Sequence, residues 1–199
     1  PTLGEMQTRF RSEYPEDAAF TELFKDQRSR TMPAATAQEW RDEMAWNMGF
    51  LVGREIQAGR SEETVFRERE QEVTNRLKMA FDLHRGGASL LAGTDADAAF
   101  HLVFFGSSLH EELALLVKAG LTPIEALRTA TVNPARFLKA EDSLGTIEQG
   151  KLADLVLLDA NPLDDIKNTN RIRAVVVNGL YLGRDALDAL LKEAEKAAN

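Results

Sequence analysis

Apolar residues recur at three- and four-residue spacing along much of the first half of the chain. Trp40, Met44, Met48 and Leu51 fall on one helical face, and Thr36-Ala-Gln-Glu39 has the spacing of a capping box that would start that helix. Both tryptophans, Trp40 and Trp46, lie in this segment, as core packing or as a mobile lid over a pocket. A second stripe of Val73, Leu77, Ala80, Phe81 and His84 predicts a helix from near Ser61 to about Arg85. Glu62 and Glu63 suit its positive end, and Gly86-Gly87 stops it. His84, at the end of the stripe, reads as a packing or helix-terminal histidine.

The period then changes. Ala88-Ser-Leu-Leu-Ala92 is a short apolar run between glycines, as expected of a strand buried on both faces, and it stops at Gly93-Thr94-Asp95. After an aromatic loop holding Phe100, Phe104 and Phe105, Ser108-Leu-His-Glu111 predicts a capped helix ending at Lys118-Ala-Gly120. Thr122-Pro123-Ile-Glu125 combines an N-cap, a proline at the first helical position and a carboxylate reaching back, and Asn133-Pro134 repeats the cap and proline. The chain is therefore expected to be mostly helical up to about residue 140. Beyond Ser143, Leu144 to Gly150 reads as a short strand and turn, and Leu155 to Leu158 and Ile172 to Val177 are β-rich. Asn178-Gly179 before Leu180-Tyr-Leu is a hairpin signal. Arg184 to Asn199, with Leu187, Leu190 and Leu191 on one side, predicts a final helix packed on that β unit or on the rest of the fold.

Composition narrows the classes. With 199 residues, 44% hydrophobic and 28% charged, the chain reads as globular and long enough to bury a core. It has no apolar run of the roughly 18 to 20 residues that a membrane-spanning helix needs. Its net charge of -8 is spread along the chain, so no basic stripe suits a phosphate backbone and neither nucleic acid nor a membrane is an expected partner. Cysteine is absent, so any metal would be held by nitrogen and oxygen. The chain opens on Pro1-Thr-Leu with no leader pattern, as an internal cut or a processed end would leave it. Compartment stays open, with the cytoplasm as the default. The most suggestive chemistry is Asp95, a carboxylate just past a buried run, where barrel enzymes place catalytic groups. Gly93 and Thr94 would let the backbone turn sharply and present it. An aspartate there can equally be a turn residue or a helix cap, a role open also to Asp97.

Several motifs follow one another in a fixed order: Leu-Leu-Ala-Gly-Thr-Asp95, Leu-His-Glu-Glu-Leu113 and Ala-Gly-Leu-Thr-Pro-Ile-Glu-Ala-Leu127. Ala-Thr-Val-Asn-Pro-Ala135, Leu-Gly-Thr-Ile-Glu-Gln-Gly-Lys-Leu-Ala-Asp-Leu-Val156 and Val-Val-Asn-Gly179 complete the series. In this order the chain resembles the amidohydrolase superfamily, especially the imidazolonepropionase-like and metal-dependent dipeptidase-like group. The resemblance implies an α/β fold: the C-terminal part of a (β/α)8 TIM-like barrel, with the end of strand 7 at Pro1-Thr2-Leu3, strand 8 and helices, plus part of a small β-sandwich. It implies a partial barrel over residues 1–140 with a helical insertion at about 4–85. The C-terminal half of the sandwich would then span 141–183 and a terminal helix 184–199. The turn at Lys151-Leu-Ala-Asp154 would be structural.

Carried over to Asp95, the resemblance implies a metal ligand and general base in hydrolysis of an amide or other C–N bond of a small cyclic amide or dipeptide-like substrate. The expected cofactor is a divalent metal, zinc by preference. The family's other ligands, a His-x-His pair and further histidines, have no counterpart, since His84, His101 and His110 are the only histidines. A catalytic metal usually takes about three or more protein ligands, so this chain alone is expected to be inactive. His110 is a candidate substrate contact, or a helix-start histidine; His101 has no better claim. Incomplete strands would leave open edges, so self-association, or binding of an N-terminal portion outside this sequence, is expected. The competing reading is a non-catalytic folding or interaction module related to the same family.

Overall fold

A computed structural model describes residues 31–94 and 104–198. The end assigned to strand 7 at Pro1-Thr2-Leu3, and Asp95, Asp97, Phe100 and His101, lie outside the described residues. Among those described the order is α1 (Ala34–Gln57), α2 (Glu62–Arg85), α3 (Ser107–Ala119), α4 (Pro123–Thr129), α5 (Val132–Phe137), β1 (Leu155–Leu158), a 3-10 helix (Ile166–Asn170), β2 (Ile172–Val177), β3 (Leu180–Gly183) and α6 (Arg184–Ala198). The chain divides into two compact units, Pro1–Val73 with Leu191–Asn199, and Thr74–Leu190.

In the first unit α1 begins earlier than the capping box at Thr36 predicts. Its N-cap is Pro33, with no side-chain cap, and Ala37 N–H donates to the Pro33 carbonyl at 2.9 Å. Thr36 therefore sits inside the first turn, where the backbone has already closed. The side chains of Met44, Trp46, Met48 and Leu51 lie outside the described ones. At the α1–α2 joint Arg60 pairs with Glu55 at 2.8 Å and with Glu68. The start of α2 follows the expectation: Ser61 Oγ accepts from Thr64 N–H at 3.2 Å, and the Ser61 carbonyl accepts from Val65 N–H at 3.1 Å.

The second unit opens on the C-terminal half of α2, where Leu77, Ala80, Phe81 and His84 are half-buried; Val73, at the other end of the stripe, is exposed. The helix ends in a Schellman motif. Ala88 N–H reaches the Leu83 carbonyl and Gly87 N–H the His84 carbonyl, both at 3.0 Å, with Gly87 at φ 89°. Three helices then close a small core of Leu113, Ala126 and Ile166, against which Ala92, Ala114, Leu116, Val117, Leu127 and Ala130 pack. Burying a leucine such as Leu113 contributes about 1.5–3 kcal/mol. The 3-10 helix packs on α3 and brings Ile166 to this core. The buried hydroxyls of Thr129 and Thr169 donate to the carbonyls of Ala126 and Ile166 at 2.6 and 2.8 Å, so burial leaves neither donor unpaired.

Several sequence expectations are corrected in this unit. α3 starts at Ser107 behind Gly106 and has no side-chain cap; Ser108 Oγ instead accepts from Phe104 N–H at 2.9 Å. α5 starts at Val132 behind Thr131, so Asn133 is inside the helix rather than capping it. Leu144 to Gly150 forms turns and bends, with Ile147 exposed and no ladder made to it among the described residues. Residues 88–92 are not a strand either, and Leu91 is 42% exposed rather than buried. A strand is defined by a neighbour that shares its ladder, and no described residues supply one to this run.

The β unit is an antiparallel meander of order β1-β2-β3. Leu155 pairs with Val176 and Val177 with Leu180, and the register shifts between Leu157 and Leu158. The turn is the predicted Asn178-Gly179, at φ 50° and 79°, as a two-residue hairpin with right-handed strand twist demands. Asp154 Oδ1 accepts from Asn178 N–H at 2.6 Å, which ties the turn at Lys151–Asp154 to the hairpin and makes it structural. α6 forms as expected, but it buries no residue: Leu187 is half-buried, and Leu190 and Leu191 are exposed. The mixed helix and sheet composition agrees with the α/β expectation.

Candidate functional site

The approach to Asp95 is the best-defined part of the candidate site. With no adjacent strand described, the backbone of residues 90–93 is held by groups from three helices. Asn133 Nδ2, in α5, donates to the Leu90 carbonyl at 2.8 Å. Ala92 N–H donates to the carbonyl of Thr129, the last residue of α4, at 2.9 Å. Gly93 N–H donates to Glu112 Oε1, in α3, at 2.9 Å. Backbone groups that a sheet would pair are thus satisfied by a side-chain amide, a helix-end carbonyl and a carboxylate. Gly93 has no left-handed φ, and a Cβ there would meet nothing within 4 Å, so nothing at this position demands glycine. Asp95 itself, named as base and metal ligand, lies outside the described residues.

The histidines separate. His84 Nε2 stands 3.2 Å from Glu125 Oε1, joining the end of α2 to the start of α4, which is the structural role its position suggested. His110 is half-buried on α3, and burial lowers its pKa from the ordinary value, opposed by the neighbouring Glu111 carboxylate. Its Nδ1 is buried without a hydrogen-bond partner among the described residues, as is Ser107 Oγ one turn earlier. His101 lies outside the described residues.

Glu125 supplies the strongest electrostatic shift. Its carboxylate accepts from the Thr122 hydroxyl at 2.6 Å and the Thr122 N–H at 2.7 Å, and faces His84. These contacts, the hydroxyl foremost, hold its pKa at about 2. The capping box is complete, since Thr122 Oγ1 also accepts from Glu125 N–H at 3.4 Å. This group stabilises a helix start rather than performing chemistry.

Among the described residues no group of three or more histidine, aspartate or glutamate side chains could hold a metal ion. The donors among the described residues do not by themselves fit a divalent cation. No helix of the described residues is long and apolar enough to cross a membrane. Sequence reasoning missed Glu112 and Asn133 as supports of the Asp95 approach. Asn133 carried a cap signal that concealed a contact 43 residues away, and Glu112 looked like an ordinary helix-surface charge.

The sequence model of the amidohydrolase family matches residues 55–181. Over 114 residues the chain is 34% identical to 5-methylthioadenosine/S-adenosylhomocysteine deaminase of Caldanaerobacter subterraneus subsp. tengcongensis, covering 47% of this chain and 25% of that protein. It is 41% identical over 63 residues to imidazolonepropionase of Picrophilus torridus, covering 29% of this chain and 15% of the relative. The chain thus spans a quarter or less of the length of these curated relatives. Among solved structures, bottromycin amidohydrolase is similar over 100% of this chain and 40% of its own, at a TM-score of 0.64 and 25% identity.

Proposed function

The chain belongs to the amidohydrolase family, and from that membership we propose that it is the C-terminal portion of a metal-dependent hydrolase acting on C–N bonds. One observation carries the reading: the family match spans residues 55–181 and so includes Leu-Leu-Ala-Gly-Thr-Asp95. On this reading residues 88–92 become the eighth strand of a (β/α)8 barrel only once strands outside this sequence pair with them, and the β1-β2-β3 sheet is part of a small sandwich. The similarity to bottromycin amidohydrolase along the whole chain supports that placement.

Asp95 is the proposed catalytic carboxylate. A divalent metal, zinc by preference, would be held largely by residues outside this sequence with Asp95 as one ligand, and when bound it would lower the pKa of a coordinated water toward neutrality. The Asp95 carboxylate accepts a proton from the attacking water and returns it to the departing nitrogen. His110 would contact substrate through its imidazole. The substrate class is a small molecule with a hydrolysable C–N bond, such as a cyclic amide, a dipeptide or an amino-substituted heterocycle.

Asp95→Asn in the full-length polypeptide containing this sequence tests the proposal. Asparagine keeps the shape and loses the proton-accepting charge, so turnover should fall by about 100-fold or more, within the range for lost general acid–base catalysis. Unchanged turnover would sink the assignment and favour the non-catalytic module. The 199-residue chain alone serves as the inactive reference.

A further inference from the structure

Glu112 lies on α3, 19 residues beyond Gly93, and its Oε1 accepts the Gly93 N–H at 2.9 Å. From this juxtaposition of a helix carboxylate with the backbone two residues before Asp95, we infer that Glu112 is a positioning residue for the Asp95 carboxylate. The inference rests on the reading of Asp95 proposed above.

Residues 90–93 have no ladder among the described residues, so their placement depends on individual hydrogen bonds. Asn133 holds Leu90 and the Thr129 carbonyl holds Ala92, but Glu112 alone of the three reaches Gly93, the grip nearest to Asp95. It is also the only charged one, and a hydrogen bond to an ionised acceptor is roughly twice as strong as a neutral pair. From Gly93 to Asp95 the chain spans at most about 7 Å, so a displacement at the first acts within two residues of the second. A misplacement of about 1 Å at a reacting group can cost about 100-fold in rate. Ala126 and Leu113 hold α3 and α4 together in the core to which Ala92 also packs, so Glu112 projects from a fixed helix rather than a loop.

The test uses Glu112→Ala and Glu112→Gln. Alanine is the best helix former, so the first variant removes the acceptor without weakening α3; glutamine keeps an acceptor oxygen. In the 199-residue chain, amide exchange at Gly93 should accelerate at least about tenfold in Glu112→Ala, stay near the parent rate in Glu112→Gln, and remain unchanged at Ala92, which Thr129 holds. In the full-length enzyme, Glu112→Ala should lower kcat at least about tenfold with KM little changed, and Glu112→Gln should restore most of it. The inference is overturned by unaltered Gly93 exchange in Glu112→Ala, by freed Gly93 exchange with unaltered kcat, or by equal losses in both variants with exchange raised across α3. Asp95→Asn run alongside separates the two ideas. If that variant retains full turnover, the Asp95 reading fails whatever Glu112 does to Gly93 exchange.

Discussion

At Glu125 a single carboxylate closes a capping box with Thr122 and faces His84, and its pKa falls from 4.5 to about 2. The unfolded chain binds this proton more readily than the folded one. The stability that Glu125 contributes is therefore fully present above about pH 4.5 and is lost as pH falls toward 2. Glu125→Gln should melt below the parent near neutral pH, and the gap should close as the buffer is acidified through that window; a gap indifferent to pH would refute the linkage. Thr122→Ala, which removes the cap hydroxyl, should cost about 1 kcal/mol. This cap was legible because threonine, proline and glutamate all agree on one start. Thr36, with Glu39 but no proline, and Asn133, with Pro134 but Arg136 in place of a carboxylate, carry only part of that signal and are not caps. Pro33 and Thr131 precede them and open each helix one turn or less upstream, and a three-residue signal contains no information about that competition.

Among the elements, the turn between α3 and α4 lies close against α2. Gly120 has φ 121°, and a Cβ on it would stand 2.9 Å from the Phe81 ring of α2. Gly120→Ala should therefore destabilise by about 1–3 kcal/mol, the usual cost of a strained backbone position, measured by urea denaturation. Pairing it with Phe81→Leu should recover part of the loss by relieving the ring contact; an unshifted midpoint in the single variant would contradict both. Helix ends at Gly87 and Gly120 and the Asn178-Gly179 hairpin were legible in the residues, because each requires a backbone geometry that few side chains tolerate. The run at residues 88–92 signals a strand that the described residues do not form, for the opposite reason. Its apolar pattern states what the segment can pair with, while pairing itself needs a neighbour that the local pattern does not contain. The supports at Glu112, Thr129 and Asn133 were illegible likewise, since each contact spans a long stretch of sequence.

Over the whole molecule, apolar surface is left open on the β unit and the final helix. Val156, Leu157, Val177, Leu180 and Leu190 each expose about half their surface, and β1 and β3 each have one edge with no described neighbour. Open edges with apolar side chains beside them favour association. The 199-residue chain should sediment as a concentration-dependent mixture of monomer and larger species, and Val156→Lys with Leu180→Lys should shift it toward monomer; a strictly monomeric parent across the concentration range would overturn this. The packing of residues 90–93 carries a different consequence for assembly. An ordinary strand can slide by two residues and recover an equivalent set of bonds. In this segment the bonds at Leu90, Ala92 and Gly93 are to main-chain groups and would tolerate the same slide, but Ala92 packs its small side chain against the Leu113, Ala126 and Ile166 core, where a two-residue slide would put Leu90 or Thr94. The segment therefore reaches any docking strand already indexed, with its frame of alignment chosen by the helices behind it and not by the sheet it joins.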